Sequence, residues 1–119
     1  VFQIKWTRAA EEILEIILQS RWEGDERKHR RVEFLAASAT LDQMPYRNAK
    51  IGDRLDVVFR AQFVHKDARY QLIYSVAPEP DLAEEAEDID DGTVYIRWVH
   101  DGLTGADRIP PRGAIDQYV

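Results

Sequence analysis

Apolar residues recur at alternate positions in four short stretches of the chain and at helical spacing in two longer ones. Phe2, Ile4 and Trp6 alternate with Gln3 and Lys5, which predicts a short opening strand. Thr7 then offers a hydroxyl to cap a helix over residues 9–20. Ile13, Ile16, Ile17 and Ser20 share one side of that helix, and Ala10, Leu14 and Leu18 widen the stripe, so it is expected to be well buried. Gly24 is a natural terminator, and Asp25 can cap a second helix over residues 26–41 whose later turns carry Val32, Phe34, Leu35, Ala36 and Ala39. The connection between the helices is only a few residues long, so they should fold back as an antiparallel hairpin, which Pro45 ends.

Beyond a polar connection at residues 46–53, the pattern returns to period two. Residues 55–64 put Leu55, Val57, Phe59, Ala61 and Phe63 on one face and Asp56, Val58, Arg60, Gln62 and Val64 on the other. A polar hairpin at residues 65–68 leads into residues 69–76, RYQLIYSV. Here Tyr70, Leu72, Tyr74 and Val76 oppose Gln71, Ile73 and Ser75; apolar residues on both faces place this strand inside a sheet. Asp91-Gly92 turns the chain into a last strand, where Val94, Ile96 and Trp98 oppose Tyr95, Arg97 and Val99. The expected fold is a two-layer α+β domain in the order β-α-α-β-β-β, an antiparallel sheet covered on one face by the helix hairpin. An insert at about residues 78–92 interrupts it, and an irregular tail rich in Gly and Pro follows from about residue 101.

A length of 119 residues fits one domain with a genuine core. Cysteine is absent, which rules out disulfides and thiolate metal sites and suits a reducing cytoplasm. The apolar runs are too short to cross a bilayer, so no membrane partner is expected. The opening Val1-Phe2-Gln3-Ile4 reads as a trimmed start and not as a signal peptide. Net charge is −6, which argues against nucleic acid, but its distribution changes the picture. Residues 79–91 hold 8 of the 22 acids and no base, leaving 14 acids against 16 Lys+Arg elsewhere, a balance of +2. A mildly basic body therefore carries an acidic segment suited to a solvated loop, a basic partner or a cover over the body's own basic groove.

Three stretches carry a family resemblance: the opening strand with WTRAAEEILEII, then DARYQLIYSV, then VYIRWVHDG. Together they resemble the RelE/ParE toxin superfamily of bacterial toxin–antitoxin systems over roughly residues 2–101. That resemblance implies a cognate antitoxin as partner and, for members that cleave ribosome-bound mRNA, a metal-independent endoribonuclease without a cofactor. The chain departs from the pattern at named places. Gln71 stands where the signature usually has Arg, and His100-Asp101-Gly102 replaces a basic cluster. Pro110-Pro111 occupies the region where active members often have a short helix with a catalytic Tyr, leaving Tyr118 as a stand-in by another backbone path. Binding is thus easier to infer than cleavage.

Metal-free RNA cleavage needs a proton acceptor for the 2′-hydroxyl, cations for the phosphorane and an acid for the leaving oxygen. His100, Arg97 and Arg60 are the catalytic candidates: His100 titrates near neutral pH, and the two arginines interrupt apolar strands. If Arg60 and Arg97 share a face they can hold phosphates in bidentate fashion; otherwise each is a solvent-facing strand residue. Arg54, Lys66, Arg69 and Tyr70 are candidates for RNA or phosphate binding. Arg27, Lys28, Arg30 and Arg31 suit phosphate contacts or, more simply, surface ion pairs. Trp22 and the acids Asp88, Asp90 and Asp91 are candidates for partner contact. His29, His65 and His100 are too scattered for a zinc site, and residues 87–92 lack the ligands of a calcium loop. The leading expectation is a divergent toxin acting on ribosome-bound mRNA or another target. The alternative is a non-catalytic interaction module, or a nucleic-acid mimic that uses the acidic segment; a chance likeness in an unrelated α+β domain is the third.

Overall fold

The computed structural model describes residues 1–105 and 107–115. It is an α+β structure with a five-stranded sheet and a helix hairpin on one face. The elements are β1 (Phe2–Trp6), α1 (Arg8–Arg21), α2 (Gly24–Ala39), β2 (Lys50–Arg54), β3 (Val57–Val64), β4 (Asp67–Ala77), β5 (Gly92–Asp101) and the one-turn α3 (Arg112–Ile115). The sheet order is β1-β5-β4-β3-β2. Strands β2 to β5 form an antiparallel meander, while β1 lies parallel to β5, so the sheet is not antiparallel throughout. A parallel neighbour needs a long connection that crosses the sheet, and the helix hairpin lies on the route from β1 to the far edge.

The sequence pattern missed one strand. Residues 50–54, KIGDR, pair with β3 although they are polar and contain Gly52, a composition tolerated at an edge. Leu55 and Asp56 form the two-residue turn between β2 and β3, with φ of 55° and 63°. The apolar alternation of Leu55, Val57 and Phe59 runs on through this turn, which is why the period alone extends β3 too far.

Thr7 caps α1 as expected: its Oγ1 accepts from the Ala10 amide at 3.3 Å and donates to the Ile96 carbonyl at 2.9 Å, tying the helix start to β5. Helix α2 differs. It starts at Gly24 with Glu23 at the cap position and no side-chain cap, so Asp25 lies inside the first turn. Ala10, Leu14, Ile17 and Leu18 of α1 and Phe34 and Ala37 of α2 bury against Tyr70, Leu72, Tyr74, Val94, Ile96 and Val99 of the sheet. Ile16, expected in the stripe, is instead exposed. Arg31 of α2 reaches both oxygens of Glu15 on α1 at 2.6 and 2.7 Å across the hairpin.

A second apolar cluster covers part of the other face. Phe59, Ile73 and Ile115 are buried there, with Trp98 and Ile109 packed against them. The tail is therefore not merely irregular, since α3 and Ile109 cap the sheet. A Cβ on Gly52 would stand 2.5 Å from Ile109 Cδ1, so glycine there lets the tail approach the edge strand. Ile73 pairs with Trp98 and Tyr74 with Ile96, which leaves Arg97 as the extra residue of a β-bulge. The bulge sends both Arg97 and Trp98 to the face away from the helices.

Candidate functional site

The outer face near the β3–β4 hairpin lies beyond the apolar cluster of Phe59, Ile73 and Ile115. Phe63, Gln71 and His100 are cross-strand neighbours in one row. Strand alternation puts all three on the side opposite Leu72 and Val99. Phe63 is 54% exposed and His100 is partly buried. The Gln71 Oε1 is buried with no hydrogen-bond partner among the described residues. Burial, with the Arg108 guanidinium next, holds the His100 imidazole below its ordinary value of 6.5. The ring is therefore neutral at pH 7 and able to accept a proton, with the positive charge of Arg108 nearby.

Arg97 lies on the same face but is committed. It is only 6% exposed. Its Nε donates to Ser75 Oγ at 2.9 Å and its Nη1 to the Ile115 carbonyl at 3.1 Å, and the guanidinium stacks 4.9 Å from the Tyr95 ring centroid. Arg60 occupies the opposite face, in register with Tyr74. It is 4% exposed. Its Nη1 donates to Glu79 Oε2 at 2.7 Å and its Nε to the Asn48 carbonyl at 3.0 Å, above the Tyr46 ring. The two arginines therefore do not share a face, and neither is solvent-facing. A joint phosphate clamp is excluded by the sheet between them. Both roles considered from sequence give way to a third, in which each guanidinium joins distant chain segments.

The other candidates fall as follows. Arg54 ends the edge strand β2, and Lys66 sits exposed in the β3–β4 hairpin with φ of 68°. Arg69 makes a two-pronged pair with Asp101, Nε to Oδ1 at 2.7 Å and Nη2 to Oδ2 at 2.8 Å. That hydrogen bonding, first among its causes, holds the Asp101 carboxyl below the usual carboxylate range. Tyr70 is fully buried beneath the helices, so its ring is part of the core. Trp22 packs edge-on against Tyr70 at 6.1 Å and carries the Arg21 and Arg30 guanidinium groups 5.7 and 5.0 Å from its ring centroid. Arg30 pairs with Glu26 at 3.6 Å and Glu33 at 3.3 Å, as the surface ion-pair reading holds for this helix. Asp88, Asp90 and Asp91 are exposed at the end of a 3₁₀ turn, Ala83–Asp88. Tyr118 lies outside the described residues. Among the described residues no group of three His, Asp or Glu side chains is placed to hold a metal ion.

Sequence reasoning missed Asp101, Glu79, Asn48 and Arg108. Asp101 was legible only as a turn residue, although an acid on the adjacent strand, opposite Tyr70, is the natural partner of Arg69 once β4 and β5 are paired. No local signal marks Glu79 as the counter-ion of Arg60, because 19 positions separate them. A scan against models of known protein families finds no match, and neither curated proteins nor solved structures provide one.

The titration of His100 can be measured directly. Its folded-state pKa lies below the unfolded one, so protonation opposes folding. Stability is complete above about pH 6.5 and declines as the pH falls from there through the folded-state value. An NMR titration is expected to place the His100 midpoint below the ordinary imidazole value of 6.5. A midpoint at or above the ordinary value would show that the ring is not desolvated against Arg108. His100→Gln is expected to remove that part of the acid-induced stability loss.

Proposed function

We propose that this chain is a divergent RelE/ParE-like toxin whose working surface is the outer sheet face around His100. The observation that carries this reading is the order of strand, helix hairpin and meander, with RYQLIYSV as the middle strand of the sheet. The neutral His100, with Arg108 near it and the exposed Phe63 ring beyond Gln71 in the same row, supports it: an aromatic to stack a base, an acceptor for a proton and a cation for a phosphate. The target is RNA on the ribosome, the compartment is the cytoplasm, and the partner is a cognate antitoxin that keeps this face occupied. No helix among the described residues is long and apolar enough to cross a membrane.

The commitment of Arg60 and Arg97 shapes the proposal. Neither can swing to a phosphorane without breaking buried hydrogen bonds. Occupying the target is therefore the primary activity, and any cleavage rests on His100 and Arg108. Induced expression in a bacterial host tests this. The intact chain is expected to arrest growth, and His100→Ala with Arg108→Ala to relieve the arrest at equal soluble protein. If the two residues transfer a proton and balance charge, purified cleavage activity falls by about 100-fold in the same variant. Unimpaired growth with the intact chain, at confirmed expression, overturns the proposal.

A further inference from the structure

The row Phe63–Gln71–His100 runs across three neighbouring strands of the outer face. Neighbouring strands lie about 4.8 Å apart, so Phe63 and His100 stand about 10 Å from each other with Gln71 between them. One row further in, Ala61, Ile73 and Trp98 continue the same face. Ile73 is buried, while Ala61 and Trp98 are partly buried and pack against the apolar cluster. The Phe63 ring, exposed to solvent, therefore borders an apolar floor. In this setting the Gln71 Oε1 is buried and accepts no hydrogen bond among the described residues. An unpaired acceptor beside apolar side chains is costly, and a donor brought by a ligand removes that cost. The amide is set by a terminal torsion with broad, two-fold preferences, so its oxygen can turn to the open side without a change in the backbone.

Charge does not select the ligand here. Arg108, Asp101 and Asp107 all act on the His100 ring, so both signs lie beside the row. The selection lies in the exposed ring and the unpaired acceptor. RNA-binding sheets use an exposed aromatic to stack an unpaired base, and neighbouring side chains to bond its edge. We propose that Phe63 and Gln71 form a subsite for one unpaired adenine of a single-stranded RNA. The base stacks on Phe63, and its exocyclic amine donates to Gln71 Oε1. Uracil has no amine to give, and guanine carries a carbonyl at the same ring position. The larger ring system of a purine favours adenine over cytosine on Phe63. This subsite rests on the reading of the outer face as an RNA surface, and it names the base taken there and the residue that reads it.

Fluorescence polarisation with the full chain tests it. The probe is a labelled five-nucleotide 2′-O-methyl RNA, UUAUU, which cleavage through a 2′-hydroxyl leaves intact. One control carries unsubstituted purine at the middle position, which keeps the rings and removes the amine; two others carry G or U there. Each control is expected to bind about tenfold more weakly than the adenine probe. Gln71→Leu is expected to bring the adenine and purine probes within about twofold of each other. Phe63→Ala, at an exposed position, is expected to weaken both by about tenfold. Circular dichroism checks each variant, and the comparison of adenine with purine uses the intact chain, so it holds whatever a substitution does to folding. Equal binding of the adenine and purine probes, tighter binding of the guanine probe, or an adenine preference that survives Gln71→Leu overturns the proposal, as does failure of every probe to bind. Growth arrest without an adenine preference removes this subsite and leaves the toxin reading standing. An adenine preference without growth arrest does the reverse.

Discussion

Arg60→Ala is expected to destabilise the fold by about 3 kcal/mol, because it strips one partner from a mostly buried ion pair. The guanidinium joins three segments: Glu79 at the start of the acidic segment, the Asn48 carbonyl before β2, and the Tyr46 ring. Removing it leaves the Glu79 carboxylate, 24% exposed, with only Lys50 at 3.7 Å. It also leaves the Asn48 carbonyl without this donor. Urea unfolding measures the effect, and a fall in Tm of roughly 10 °C or more accompanies it. The discriminating variant is the double change Arg60→Met with Glu79→Leu. Removing both charges together is expected to recover most of the loss, since an apolar pair carries no desolvation penalty. If the double variant is as unstable as Arg60→Ala, the ion pair is not the source of the effect. This also bears on function. A loss of activity in an Arg60 variant has to be separated from a loss of folded protein, whereas Arg108 is exposed and His100 only partly buried.

Tyr70 provides the second large effect, and its two parts have opposite character. Tyr70→Ala is expected to cost about 3–5 kcal/mol, because the ring is fully buried between Phe34, 5.3 Å away, and Trp22. Tyr70→Phe keeps the ring and removes only the hydroxyl. That hydroxyl is buried without a hydrogen-bond partner among the described residues, and burial pushes its pKa up. Its removal is expected to be neutral or to stabilise by up to about 1 kcal/mol. Tyr74 sets the contrast. Its hydroxyl donates to the Pro45 carbonyl at 2.6 Å and accepts from Asn48 Nδ2 at 3.1 Å. Thermal melts of the two variants decide the matter. A substantial loss in Tyr70→Phe would mean that the hydroxyl is satisfied after all.

Tyr70 also illustrates how a strand's composition separates from its role. Its place in the sheet's middle strand was legible from alternation, because Tyr70, Leu72, Tyr74 and Val76 could only face a core. Its candidacy for RNA or phosphate binding gives way to that same alternation, which turns position 70 to the core beneath the helices. Arg69 is similar. Its side chain reads as a free cation until β4 is laid against β5, where Asp101 meets it. The candidate site was legible in part: His100 stands on the open face, whereas Arg108 reaches it from the tail, eight residues further on. No periodic pattern links the two, so only the return of the tail across the sheet brings them together.

What the sequence by itself determined is the set of apolar faces. Periods of two and near four specify which residues must leave water, and burial of those faces requires a sheet covered by a helix hairpin. What only the tertiary structure decided is where the polar residues inside those periods go. A bulge of one residue at Arg97 shifts the side chains that follow. A two-residue turn at Leu55-Asp56 creates an edge strand from a polar connection. Arg60, Glu79 and Asn48 meet only after distant strands have paired. Apolar burial is non-directional and tolerates any partner of suitable size, so local pattern suffices to foresee it. A buried charge requires a specific counter-ion at hydrogen-bond distance, and that depends on register, which is settled when the whole sheet assembles.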